Sequence, residues 1–169
     1  MQLKYSNKYL FITFFLCFIF VSCKEENEKN KIDHLLNEWH KAAAESNFDI
    51  YFSMMSDSAV FIGTDATERW NKTQFMAYAK PHFEKNKGWK MTSLKREIII
   101  NNSKEIAWFD ELLNTKMKIC RGSGVLVKTN GKWEIQHYVL SMTIPNELAD
   151  SVITIKSTLE DPIIKILSQ

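Results

Sequence analysis

Cysteine and histidine are scarce in this chain, and the few that occur are not grouped. The 169 residues hold three cysteines, Cys17, Cys23 and Cys120, and four histidines. No two cysteines form a CxxC pair, and no HExxH motif occurs. Structural metal sites need such closely spaced His and Cys ligands, so we expect no metal and no cofactor.

An excess of charge of one sign is also missing. The chain has 22 basic and 20 acidic side chains. Two of the basic residues, Lys4 and Lys8, lie in the first 22 residues, which hold no acidic residue, so the rest of the chain has 22 − 2 = 20 basic and 20 acidic side chains. No basic cluster with interleaved aromatic residues occurs, so the sequence gives no indication of nucleic-acid binding.

The first 26 residues have the pattern of an export signal. Lys4 and Lys8 precede an apolar run at residues 10–21, which is too short to span a bilayer, since a spanning helix needs about 20 apolar residues. Ser22 and Cys23 follow, and a polar segment begins at Lys24. This order is typical of a secretory signal peptide, and an uncleaved single-helix anchor is the alternative.

The residues around Cys23 resemble the lipobox of bacterial lipoproteins. The resemblance implies that Cys23 is lipidated and becomes the N-terminus, on the periplasmic side of the membrane or at the cell surface. Glu25 and Glu26 also resemble the acidic signal that directs some Bacteroidetes lipoproteins to the outer face of the cell. Cys120 would then be the single unmodified cysteine, and no disulfide is expected in the mature chain.

Charge and apolar patterns divide the chain into four parts. We predict a lipoprotein signal peptide over 1–22, a lipidated cysteine with a flexible tether over 23–31, one domain over 32–147 and a C-terminal extension over 148–169. The tether is predicted because residues 24–31 are charged or polar and contain no large apolar side chain.

The domain begins with helical patterns. Apolar residues at helical spacing predict a helix over 32–46 and a shorter one over about 50–55, before a short strand over 58–62. The D-x-x-E spacing of Asp65 and Glu68 is that of a capping box. Asn71 and Gln74 repeat that signature and open a third helix, which Gly88 ends.

Strand patterns follow from Trp89 onward. Alternation predicts four strands, near 91–101, 105–113, 119–129 and 133–143. Asn130-Gly131 joins the last two as a tight hairpin. Helices first and a meander second predict an α+β fold, with the helices on one face of a curled antiparallel sheet.

Four segments in this order resemble the SnoaL-like domains of the nuclear transport factor 2 superfamily. They are Phe61–Asp65 with Glu68, Ala107–Glu111, Arg121–Leu126, and Trp133–Ile135 with Tyr138, Leu140-Ser141 and Ile144–Glu147. The resemblance covers about residues 32–147. It implies a cone-shaped sheet against about three helices, a deep pocket between them, and commonly a homodimer through the sheet. The superfamily includes isomerases, cyclases, dehydratases and binding or association modules, so the fold alone leaves the function open.

Strand alternation selects the catalytic candidates. Trp108 and Asp110 share one face of their strand, and Glu111 lies on the other. If Asp110 faces the pocket, burial beside Trp108 would raise its pKa toward that of a general base. The alternative is an ion pair of Asp110 or Glu111 with Arg121 on the neighbouring strand.

The following strands supply the other candidates. Arg121 and Ser123 share a face, on which the guanidinium could hold an anionic ligand. Gly122 and Gly124 beside them mark a bend or a close backbone approach, and not a phosphate loop. His137 could serve as an acid or base, or be a hydrogen-bonded core residue. Tyr138, on the opposite face, could be the donor instead.

Asp65 and Arg69 border the helix expected to close the wide end of the cone. Both are candidates for ligand contact, although helix capping alone would explain Asp65. Three hypotheses follow: a module that binds a small, partly apolar, anionic molecule in an aromatic pocket; an enzyme of the isomerase, cyclase or dehydratase type with a pocket carboxylate as base; or a non-catalytic homodimeric assembly module.

Overall fold

The computed structural model describes residues 27–169. The predicted signal peptide, Cys23 and residues 24–26 lie outside the described residues. Among the helices of the described part, none is both long and apolar enough to cross a membrane.

The described residues form helices around one six-stranded sheet. In chain order the elements are α1 (27–44), α2 (Phe48–Ser53), β1 (Met55–Ile62), β2 (Arg69–Asn71), α3 (Lys72–Phe83), β3 (Thr92–Ile100), β4 (Ile106–Thr115), β5 (Lys118–Thr129), β6 (Lys132–Met142), a short 3-10 turn (Asn146–Leu148) and α4 (Ala149–Leu167).

The sheet has the strand order β2-β1-β6-β5-β4-β3. Strands β3 to β6 form the predicted antiparallel meander, and the α+β fold is confirmed. One pairing departs from the expected antiparallel sheet, because β1 runs parallel to β6. Parallel neighbours need a long connection, which here contains α3 and the meander.

Local signals set several element ends as predicted. The side chains of Asn71 and Gln74 each accept a hydrogen bond from the backbone N–H of the other, which is the capping box of α3. Asn130 and Gly131 have φ of 52° and 80°, as a tight hairpin turn requires. Gly88, however, does not end α3, which stops at Phe83; a side chain at position 88 would collide with the carbonyl of Ala43.

The N-terminal boundary differs from the sequence prediction. Residues 27–31, expected as part of the tether, form the first turns of α1. Glu28 is buried there and accepts hydrogen bonds from Lys128 (2.6 Å) and from the Trp133 indole (3.0 Å). These partners lie a hundred residues away, so local composition could not reveal that the segment is held against the sheet.

The core lies between the inner face of the sheet and helices α1 to α3. Aromatic rings dominate it: Trp39 stacks on Tyr51 (4.9 Å between centroids) and Phe61 on Phe75 (4.0 Å). Cys120 is free and buried, as expected for a small apolar residue. By contrast, α4 has no buried residue and does not contribute to this core.

Candidate functional site

A cavity of about 690 Å³ opens at one end of the sheet. Its walls come from β1 and β2, from α3, from the segment before β3 and from the β4–β5 turn. This volume is in the range of small-molecule sites. The cavity is the expected pocket between sheet and helices, and its floor is the aromatic core.

Aromatic side chains form its apolar wall. Trp70 stacks on Tyr78 with 4.5 Å between centroids, and Phe75 packs beneath both rings. Trp89 also stacks on Phe75, with 5.8 Å between centroids. All four residues line the cavity. Flat rings at such spacing offer a ligand a large apolar contact area with little loss of side-chain freedom.

Basic side chains surround its mouth. Lys87, Lys90 and Lys116 line the cavity, and His82 joins them from α3. Among the described residues none of these lysines has an ion-pair partner. Glu68 is the one carboxylate in the described lining, and it accepts a hydrogen bond from the backbone N–H of Asp65 (3.2 Å). The mouth is therefore positively charged.

A buried polar network centred on Glu111 lies beside the core aromatics. Glu111 Oε1 is 2.8 Å from His40 Nε2 and accepts a hydrogen bond from the Tyr138 hydroxyl at 3.0 Å. Its Oε2 accepts two hydrogen bonds from Arg96, at 2.9 and 2.7 Å. Arg96 also donates to Asp33 of α1 (2.6 Å), so the network fastens α1 to the sheet.

The network explains the charge state of its members. Burial raises the pKa of the Glu111 carboxyl, but the His40 hydrogen bond and the charges of His40 and Arg96 outweigh it, so that pKa is below its usual value. Burial and the neighbouring Glu111 charge raise the pKa of Tyr138 well above its usual value. Both carboxylate oxygens are occupied, and Glu111 does not line the cavity; its role is structural.

Five of the predicted site residues lie together on the opposite surface of the sheet. This outer face is the side of β3 to β6 turned away from helices α1 to α3. It carries Trp108, Asp110, Arg121, Ser123 and His137.

The expectation that Asp110 faces the pocket is therefore corrected: alternation on β4 places Glu111 inside and Asp110 outside. Asp110 instead pairs with Arg121 at 3.5 Å, the predicted alternative. As functional assignments, Trp108, Asp110, Arg121 and Ser123 stay predictions that the cavity does not support.

His137 lies outside because of an irregularity in β6. Simple alternation along β6 would put Ile135 and His137 on one face. A register shift between the pairs Val125–His137 and Leu126–Ile135 inserts an extra residue, which leaves Ile135 in the core and His137 on the outer face. Such bulges reverse the side-chain phase of a strand, and simple alternation cannot reveal them.

The remaining candidates also lie off the cavity. Tyr138 is fully buried in the Glu111 network. Asp65 accepts hydrogen bonds from the Thr67 backbone (2.9 Å) and hydroxyl (2.6 Å), which lower its pKa; it closes a turn before β2 and begins no helix. Arg69 is exposed in β2, opposite Ile62.

The sequence reasoning missed the residues that do form the cavity. Trp70, Tyr78 and Trp89 lie in or beside the third predicted helix, and Lys116 lies in the polar link between two predicted strands. Such a link is a typical position for binding residues, since loops at the end of a rigid sheet carry function more often than the strands do. That signal could have identified Lys116.

A model of the SnoaL-like domain matches residues 32–145 of this chain. The chain belongs to the SnoaL-like domain family. No curated protein sequence matches it.

Solved structures with this fold share little sequence with it. A protein described as a candidate dehydratase of the NTF2-like family from Streptomyces avermitilis is 6% identical, with a TM-score of 0.62 over 72% of this chain and 99% of that one. The association domain of C. elegans CaMKII is 17% identical, with a TM-score of 0.60 over 70% and 98% of the chains.

An NTF2-like protein of unknown function from Pseudomonas putida KT2440 is 12% identical, with a TM-score of 0.58 over 70% and 88%. At these identities the likeness establishes the NTF2-like fold alone.

Proposed function

We propose that this protein is an exported, lipid-anchored SnoaL-like domain that binds a small, partly apolar, anionic molecule. The observation that carries the proposal is the cavity of about 690 Å³ with aromatic walls and a basic mouth. An apolar cavity with a few polar groups at its opening is the usual form of a small-molecule site.

The charge at the mouth selects an anionic ligand. The described lining contains one carboxylate, Glu68, and three lysines that have no ion-pair partner among the described residues. A carboxylate or phosphate at the mouth would pair with Lys90 or Lys116, while the apolar part of the ligand contacts Trp70 and Tyr78. The anion site proposed here thus uses these lysines in place of Arg121.

An enzyme of the dehydratase, isomerase or cyclase type is the second candidate. The fold likeness to the candidate dehydratase from Streptomyces avermitilis favours it, and Glu68 with His82 would have to supply its acid and base. Glu111 is a poor candidate for the base, because it does not line the cavity and both of its oxygens accept hydrogen bonds within the core. Binding is therefore the stronger proposal.

Ligand binding is tested by thermal unfolding against a library of small carboxylates and phosphates. A ligand of the native state at about a hundredfold excess over its Kd stabilises the protein by about 2.7 kcal/mol. We expect acidic, partly apolar compounds to raise the Tm of the wild type, and Lys90→Gln with Lys116→Gln to lose most of that shift. Lys85→Gln with Lys132→Gln, outside the cavity, is the matched control.

The same screen separates the two candidate functions. Absence of any shift, or an equal shift in both double variants, would contradict the anion site. Each compound that binds is then incubated with the protein and examined for product. Turnover that Glu68→Gln abolishes would favour the enzyme, and binding without turnover would favour the module.

The proposed anchor and assembly rest on separate features. Cys23→Ser should prevent labelling with a radioactive fatty acid and release the protein from the membrane fraction. We also propose a homodimer, since the outer face of the sheet carries exposed apolar side chains and since the CaMKII association domain has the same fold. Sedimentation velocity should then give a dimer.

A further inference from the structure

The C-terminal helix α4 is an amphipathic helix without a partner in this structure. Its apolar residues recur at helical spacing, at Val152, Ile155, Leu159, Ile163 and Ile166. Leu159 is 74% exposed and Ile155 is 72% exposed, and α4 contains no buried residue. A helix of this kind is stable mainly when its apolar face is covered, because most helical stability comes from packing.

The outer face of the sheet is a second uncovered apolar surface in the same chain. Ile99 and Trp108 are cross-strand partners, and Ile106 lies beside them on β4. Ile119 lies further along the same face, beyond the Asp110–Arg121 ion pair. Contiguous exposed patches of this kind mark interaction sites.

We propose that α4 of one copy packs across the outer face of a second copy, and that the second copy returns the same contact. This proposal rests on the homodimer proposed above and names its interface. These two equivalent contacts would cover α4 and the outer face in both copies. They would be related by one two-fold axis, as an isologous dimer requires.

Charge and length fit this arrangement. The apolar side of α4 carries one ion pair, Lys156 with Glu160 at 3.1 Å. The outer face carries two, Asp110 with Arg121 and Lys95 with Glu97, each at 3.5 Å. In the dimer Lys156 can face Asp110 and Glu160 can face Arg121, so that each of these four charges keeps an opposite partner. The 19 residues of α4 extend over about 28 Å, which the strands of 10 to 12 residues can accommodate.

The charge of α4 disfavours a membrane surface as the occupant. The helix has three acidic residues, Asp150, Glu160 and Asp161, and two basic ones, Lys156 and Lys165. Helices that lie on membranes carry an excess of Lys and Arg on their polar face. A second copy of this chain offers both apolar area and matching charge.

The contact is tested by disulfide cross-linking between two differently tagged copies of the full chain expressed in the same cell. One copy carries Ile163→Cys in α4, and the other carries Trp108→Cys or Ile119→Cys on the outer face. We expect a disulfide-linked heterodimer. Thr158→Cys, on the polar side of α4, is the matched control and should lose the cross-link. A link of Ile163→Cys only to itself, or only within one chain, would overturn the proposal.

Sedimentation velocity separates this inference from the dimer itself. We expect Leu159→Asp to raise the dimer Kd about tenfold or more, which is 1.4 kcal/mol, and Thr158→Asp to leave it unchanged. At concentrations where both variants are monomeric, their thermal unfolding should be the same, because α4 has no buried residue within the single chain. A wild-type dimer that Leu159→Asp does not weaken would overturn the α4 contact alone; a monomeric wild type would overturn the homodimer as well.

Discussion

Replacing the buried carboxylate of Glu111 should destabilise the domain severely. In Glu111→Gln the Arg96 guanidinium, whose side chain is 4% exposed, loses the charge that it pairs with at 2.7 Å. Removing one member of a buried ion pair costs about 3–5 kcal/mol, because the remaining charge stays buried. Arg96 keeps its pair with Asp33, but Asp33 is half-exposed and does not replace the buried carboxylate. Domains are stable by only about 5–15 kcal/mol in total, so this one change should remove a large fraction of the free energy of unfolding.

Urea unfolding at pH 7, followed by tryptophan fluorescence, measures this loss. With an m-value of about 2 kcal/mol/M, the midpoint should fall by about 1.5–2.5 M, and the m-value should not change. Glu97→Gln is the control: its carboxylate lies 3.5 Å from Lys95 on the surface and should be worth less than about 1 kcal/mol.

The pH dependence gives a second, independent readout. The pKa of Glu111 is lowered in the folded state, so its stabilisation is present above the unfolded pKa and is lost as the pH falls through the folded pKa. The stability difference between wild type and Glu111→Gln should therefore be largest near neutral pH and shrink in acid. A loss below about 1 kcal/mol at pH 7, or a difference that does not change with pH, would refute the reasoning.

Three further changes test the packing, the N-terminal contact and a helix start. Gly122→Ala should lower the free energy of unfolding, measured in urea, by about 1–3 kcal/mol, because the added methyl group would collide with the buried Tyr138 hydroxyl. An unchanged urea midpoint would contradict that close approach. The Lys128 hydrogen bond lowers the pKa of Glu28 to about 2, so wild-type stability should fall as the pH drops from about 4.5 toward 2. The Tm of Glu28→Gln should be lower than that of the wild type at pH 7 and should change less in acid. Tm curves of the two proteins that run parallel against pH would contradict this role of Glu28. Asn71→Ala should cost about 1 kcal/mol through loss of the α3 cap, and Asn71→Asp should retain most of the stability in the same assay.

Much of the fold could be predicted from local patterns. The strands from β3 to β6, the capping box at Asn71 and the turn at Asn130-Gly131 are each specified by a few neighbouring residues. β2 and α4 were not predicted. A strand of three residues such as β2 carries too little pattern of its own, and it exists because β1 supplies its hydrogen-bond partners.

The candidate site depended more on tertiary structure than the fold did. Alternation correctly separated Asp110 from Glu111, but it could not tell which of the two faces the helices. The sequence also contains nothing that places the bulge before His137. Because the bulge in β6 and the inner face of β4 could not be predicted, most of the predicted site residues lie on the outer face and not in the cavity.

The sequence by itself determined the α+β class and the order of strands β3 to β6, because these follow from periodicity, caps and turns that act over a few residues. It also indicated the family, through the resemblance of four segments to SnoaL-like domains. Only the tertiary structure decided which side of the sheet is the core. That choice depends on partners far apart in the chain, such as His40, Arg96 and Glu111, whose polar groups can be buried only together. It also decided where the cavity opens, because Trp70, Trp89 and Lys116 meet there only once the helices close over the end of the sheet.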